Sequence, residues 1–158
     1  MTKGQTHLNT SSAAIIQYMD GTHKKIQNGV RCVVDVRDVA EAHITPIVKD
    51  VGWGKRYLLF GGAPHFKETA GYVKAALEAN GSDAAKKLIA NVPTEVDEQL
   101  QPTAMGPSAD KPLLFDNTPT TKELGINFRS VEEMVTTCVN ELLVNNFHGS
   151  NQYDTKKL

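Results

Sequence analysis

Apolar and polar positions along this chain fall into two rhythms, one of helical and one of strand spacing. In "TSSAAIIQYMDG" the residues Ala14, Ile15, Tyr18 and Met19 recur at helical spacing, with Gly21 as a stop. Thr10, Ser11 or Ser12 supplies the N-cap, and the pattern predicts a helix over 11–19. "VRCVVDV" (30–36) is rich in β-branched residues and predicts a strand near 31–36. "RDVAEAHITPIVKD" then puts Val39, Ala42, His43, Pro46 and Ile47 near one face of a helix over 37–48, which Pro46 ends or kinks.

A second strand–helix pair follows. "GKRYLLFGG" (54–62) has an unbroken apolar centre from Tyr57 to Phe60, as in a parallel-sheet strand buried on both faces, and predicts a strand over 56–60. "HFKETAGYVKAALEANG" (65–81) carries Phe66, Ala70, Val73 and Leu77 in helical register and stops at Asn80-Gly81. From Asn91 to Pro112 four prolines and few apolar residues predict a long loop over a surface or cleft. "PLLFDN" predicts a strand near 112–116 and "TPTTKELGI" a short helix with Pro119 at its start. "SVEEMVTTCVNELLVNNF" predicts a long helix over 130–146, with Ser130 and Glu133 at capping-box spacing and an apolar stripe of Val131, Met134, Val135, Cys138, Leu142 and Leu143. Residues 148–158 form a polar tail.

Composition narrows the function classes. The 158 residues carry 17 basic and 18 acidic side chains, a formal net charge of −1, and so no field that gathers phosphate backbones or anionic lipid. Neither nucleic acid nor a membrane is an expected partner. The apolar runs are too short to span a bilayer and "MTKGQTHLNT" is too polar for a signal peptide, so a cytoplasmic protein is expected. Cys32 and Cys138 lack CxxC spacing and are expected as buried, reduced thiols. No metal site is expected. His43, on an apolar helical face without a second ligand at metal spacing, reads as a hydrogen-bonded structural histidine rather than a proton relay. Asp35 and Asp38 read as turn and cap residues.

Strands alternating with helices make the chain α/β. The joint "VDVRDVAEAHI", then "GKRYLLFGG", then "LLFDNTPTTKELGINFRSVEEMV" resemble, in that order, the C-terminal half of an extended short-chain dehydrogenase/reductase. Within that group the chain is most similar to the branch holding dihydroflavonol reductase, cinnamoyl-CoA reductase and yeast methylglyoxal (aldehyde) reductase. The resemblance runs from Leu8 to Phe147. It implies the C-terminal part of a Rossmann-type NAD(P)-binding fold: an incomplete parallel sheet plus a small substrate-capping subdomain, with 1–147 as the substrate-binding portion. NADP or NAD is the cofactor implied, and a small carbonyl or alcohol the substrate.

Two family features have no counterpart here. The glycine-rich GxxGxxG turn that lets a backbone approach a pyrophosphate is absent, and Gly52, Gly54, Gly61 and Gly62 read as turn glycines. The family's Tyr–Lys pair, four residues apart, is matched only by Tyr153 and Lys157 in the polar tail, so no catalytic residue is assigned. The resemblance places Ser11, or Thr10, near the cofactor phosphate or ribose, with helix capping as the competing reading. It places Gln17, Tyr18, Arg31 and Cys32 at the substrate pocket, with core packing the competing role for Tyr18 and Cys32. Two functions follow. The chain is the substrate-binding half of an NAD(P)-dependent reductase of aldehydes, ketones or dihydroflavonol-like compounds, inactive without a nucleotide-binding half carried elsewhere, cut off or lost; on this reading the chain alone is not expected to bind a dinucleotide. Alternatively it is a stand-alone small-molecule or partner-binding module, or a remnant that catalyses nothing. A two-sided strand at 56–60 without neighbours further predicts self-association or a partner bearing the nucleotide-binding half.

Overall fold

The computed structural model describes residues 9–100 and 115–145. Five α-helices dominate: α1 (Thr10–Met19), α2 (Val36–Lys49), α3 (Phe66–Asn80), α4 (Asp83–Ile89) and α5 (Val131–Val144). A single π turn, Thr120–Leu124, precedes α5, and two short strands, β1 (Ile26–Gln27) and β2 (Val96–Asp97), pair in parallel with Ile26 opposite Val96. The architecture is mixed α/β, as expected, but its small parallel sheet is built from segments other than those predicted. α1, α2, α3 and α5 lie where the apolar spacing put them.

Local chemistry sets the helix ends. α1 is capped by Asn9, whose Oδ1 accepts the Ser12 amide at 2.8 Å, so Thr10, Ser11 and Ser12 lie inside the first turn instead of capping it. Asp35 caps α2 and its Oδ1 accepts the Arg37 amide at 2.8 Å, whereas Asp38 is fully buried and bonded across the fold. Pro46 does not end α2, which runs on to Lys49 and closes on Asp50 in the left-handed conformation. At α5 only half of the capping box forms. Ser130 Oγ accepts the Glu133 amide at 3.1 Å, while the Glu133 carboxylate turns to Arg37 and Arg129.

α3 and α5 pack at the centre, with α1 and α4 against them. This core holds Ile16, Met19, Val73, Leu77, Val139 and Leu142, all completely buried. A second, smaller core of Ala42, Leu124 and Ile126, flanked by Tyr57, Leu59 and Phe128, lies under α2. α2 departs from its predicted face. Its buried positions are Asp38, Ala42 and Thr45, while Ile47 is 70% exposed and His43 lies at the surface.

The three predicted strands are not formed as such. Residues 31–35 form no strand: this stretch makes only isolated bridges, Val30 to His65 and Val33 to Gly62, and the Arg31 amide donates to the Pro64 carbonyl at 3.2 Å. Residues 56–60 have no strand partner among the described residues, although Tyr57 and Leu59 do turn inward while Leu58 turns out. Of 112–116, only Phe115 and Asp116 are described, and they lie outside any strand. The predicted loop contains β2 and follows α4, a helix the apolar pattern did not announce; residues 101–112 of that loop, the polar tail 148–158 and the Tyr153–Lys157 pair lie outside the described residues.

Candidate functional site

α1 and the segment that follows β1 bring the predicted substrate-side residues together in part. Tyr18 is buried, and burial pushes its phenol up to about 12, although the nearby Arg31 cation acts to lower it. The Tyr18 ring meets His23 at 5.3 Å between centroids, and burial holds the His23 imidazole below its usual range. Tyr18 therefore stays a neutral hydrogen-bond donor at any physiological pH, with an exposed guanidinium close by. Cys32 follows Arg31 at the surface and is a free thiol, so the expectation that it is buried in the core is wrong; the strand meant to bury it does not form. Gln17 is half-buried.

Ser11 stands seven residues before Tyr18, two helical turns or about 10 Å along the same face of α1. Thr10 has the same relation to Gln17. Both hydroxyl residues are exposed, whereas Ser12 is buried; burial also pushes the Cys138 thiol above its usual range. Of the predicted site residues, Tyr18 and Arg31 act on each other electrostatically, while Thr10 and Ser11 share α1 with Tyr18 at a distance.

A network unmarked by any local motif holds the joint at the start of α2. Arg37 embraces the Asp35 carboxylate through Nε (2.9 Å) and Nη2 (2.7 Å), and that hydrogen-bonded pairing with Arg37 holds Asp35 below the usual carboxylate range. Arg37 and Arg129 both reach Glu133 Oε1, at 3.3 and 3.4 Å. Asp38 accepts the Arg129 main-chain N–H at 2.9 Å and its guanidinium as well. The joint that precedes α2 is thereby fastened to the start of α5.

Beside α2 an open hollow of ≈ 300 Å³ is lined by Ala42, His43, Pro46, Lys55, Tyr57, Leu59 and Leu124. On its rim Tyr57 Oη and Lys55 Nζ both donate to Glu123 Oε2, at 2.6 and 2.8 Å, which holds Glu123 below its usual range and both donors above theirs. His43 Nδ1 lies 2.7 Å from the Val39 carbonyl; a carbonyl can only accept, so Nδ1 carries the proton, as expected of a structural histidine. The Lys55–Glu123 pairing joins residues 68 positions apart, which no spacing rule detects. Among the described residues no cluster of three or more His, Cys, Asp or Glu is arranged to hold a metal, and no helix is long and apolar enough to cross a membrane.

No protein-family model matches the sequence, and no curated protein matches it. Solved structures do. The Bordetella bronchiseptica enzyme WbmH, determined in complex with NAD+, aligns over 87% of this chain and 40% of its own, with a TM-score of 0.57 and 21% identity. A reductase engineered to attenuate substrate inhibition in asymmetric catalysis aligns over 90% of this chain and 38% of its own, with a TM-score of 0.57 and 20% identity. The structure of gox2253 aligns over 87% and 44%, with a TM-score of 0.58 and 15% identity. At these identities the likeness is one of fold: the chain shares its mixed α/β architecture with part of each of these structures. It spans about two-fifths of the length of the structures it matches.

Proposed function

We propose that the chain is the substrate-binding portion of an NAD(P)-dependent oxidoreductase acting on the CH–OH/carbonyl group of aldehydes, ketones or dihydroflavonol-like compounds. The observation that carries this reading is the fold likeness over nearly the whole chain to part of a structure determined with NAD+ and of a reductase, taken with a neutral phenol within electrostatic reach of a guanidinium. A carbonyl oxygen is an acceptor, and Arg31 and Tyr18 are donors suited to it. Gln17 and Cys32 would flank the same pocket. Ser11 and Thr10, two turns away, would meet the phosphate or ribose of a dinucleotide whose nicotinamide supplies the hydride. That dinucleotide needs a glycine turn, which these 158 residues lack, so turnover requires a nucleotide-binding portion.

Amide-resolved NMR of the purified chain tests the reading with benzaldehyde, methylglyoxal and dihydroquercetin as probes. Saturable shifts centred on Tyr18, Arg31 and Gln17 are expected, with no consumption of NADPH by the chain alone. If none of the probes moves these amides, the substrate-binding reading fails and the stand-alone module takes its place. Saturable micromolar binding of NADPH would overturn the requirement for a separate nucleotide-binding portion.

A further inference from the structure

The hollow beside α2 has an apolar floor and a rim rich in hydrogen-bond acceptors. Ala42 and Leu124 are buried in the floor, with Leu59 half-buried next to them. Three acceptors belong to residues that line it. His43 Nδ1 gives its proton to the Val39 carbonyl, so in the neutral imidazole Nε2 is a lone pair, and it has no partner among the described residues. Tyr57 commits its phenolic proton to Glu123 Oε2 and keeps the lone pairs of its own oxygen. Pro46 stands inside α2 without an N–H, so the Ala42 carbonyl lacks the donor that an α-helix supplies four residues on. The charges at the rim are matched to each other: Lys55 Nζ donates to the same Glu123 oxygen at 2.8 Å, which leaves no net charge for a ligand to neutralise. Glu123 and Leu124 both come from the π turn, a distortion of helical geometry that is frequent at functional sites.

We propose that this hollow is a binding site for a small neutral phenol, whose ring lies on Ala42, Leu59 and Leu124 and whose hydroxyl donates to the acceptors of the rim, His43 Nε2 foremost. The volume of ≈ 300 Å³ stands at the lower end of the roughly 300–1,000 Å³ of small-molecule sites, which suits a single ring. A phenolic O–H is more acidic than that of an alcohol and is the better donor to acceptors that have none. The spare N–H groups of Lys55 can meet the lone pairs of the ligand oxygen in return. The hollow shares no lining residue with Tyr18 or Arg31, so the site is separate from the substrate side and does not depend on it.

Amide-resolved NMR of the purified chain with para-ethylphenol tests the site. Saturable shifts at Ala42, His43, Tyr57, Leu59 and Leu124 are expected. Its methyl ether, para-ethylanisole, keeps the ring but has no donor and should bind at least about tenfold more weakly. The anion para-ethylbenzoate should likewise bind more weakly than the phenol. H43A changes an exposed residue and removes the acceptor; it should weaken the phenol about fivefold or more and leave the ether unchanged. Equal binding of phenol and ether, preference for the benzoate, or a phenol affinity that H43A leaves intact overturns the proposal. So does the absence of shifts at the hollow, and shifts centred on Tyr18 and Arg31 instead would overturn it while supporting the substrate-side reading. Should H43A fail to fold, P46A decides the matter: it restores the N–H that satisfies the Ala42 carbonyl, and it should weaken the phenol more than the ether.

Discussion

Asp38 and Arg129, 91 residues apart in sequence, meet in a buried pairing in which one carboxylate accepts both the main-chain amide and the guanidinium of the arginine. Asp38 is completely buried and Arg129 is about one-third exposed, so the pair is shielded from water on one side only. Removing one partner of such a pair costs more than the pair contributes, because the other charge remains buried. R129A is expected to lower stability by about 3–5 kcal/mol in urea unfolding. D38N, which keeps one acceptor and leaves the arginine able to reach water, should cost less. Equal effects of the two substitutions would contradict this ranking.

The neighbouring Asp35 gives an acid limb to stability. Its carboxyl is held below the usual range by Arg37, so its contribution is present above the unfolded value of about 4 and disappears as pH falls through the lowered folded value. R37A should start from a lower stability at neutral pH and show a shallower loss on acidification. Denaturant unfolding at a series of acid pH values reads both effects.

Tyr18 supplies the alkaline limb. Its folded value of about 12 lies above the unfolded value of about 10, so the contribution is complete below pH 10 and is lost as pH rises from 10 to 12. Two units correspond to roughly 3 kcal/mol at most, and Y18F should remove that pH dependence. R31A should move the Tyr18 midpoint upward, since the Arg31 cation favours the tyrosinate. Tyrosinate absorbance during alkaline titration measures it, and an unmoved midpoint would separate Arg31 from Tyr18 as members of one site.

The helices were legible in the sequence because each buries a stripe that recurs every three or four residues, as Ala70, Val73 and Leu77 do in α3. The strands were not, because strand spacing states which faces are apolar and says nothing of whether a neighbour exists to complete the ladder. Tyr57 and Leu59 turn inward but Leu58 turns out, so the burial on both faces that the unbroken apolar run suggested is not met, and no strand lies beside them among the described residues. α4 escaped notice since its seven residues bury only Ala85 and Leu88, too few for a period. At the site, Tyr18 and Arg31 were named together by the resemblance and by no pattern of the residues themselves. The Lys55–Tyr57–Glu123 cluster and the Asp38–Arg129 pair join distant segments, and pairings of that kind leave no local trace.

Gly52 and Tyr57 give the last test, in which two sources of strain can be separated. Gly52 has φ = 76°, a conformation that costs an L-residue about 1–2 kcal/mol. A Cβ there would also stand 2.8 Å from Tyr57 Oη and 2.9 Å from its Cε2, closer than real Cβ contacts allow. G52A must therefore pay for a strained backbone and push the Tyr57 ring away from Glu123, its hydrogen-bond partner at 2.6 Å. Y57A alone loses the ring's packing against Leu124 and Leu59 along with that hydrogen bond. In the double variant no ring remains to be displaced, so only the backbone strain of G52A persists. The combined loss in urea unfolding is expected to fall short of the sum of the single losses by about 1 kcal/mol or more. Strict additivity would mean that the ring moves aside at no cost, and that Gly52 is required for its backbone conformation alone.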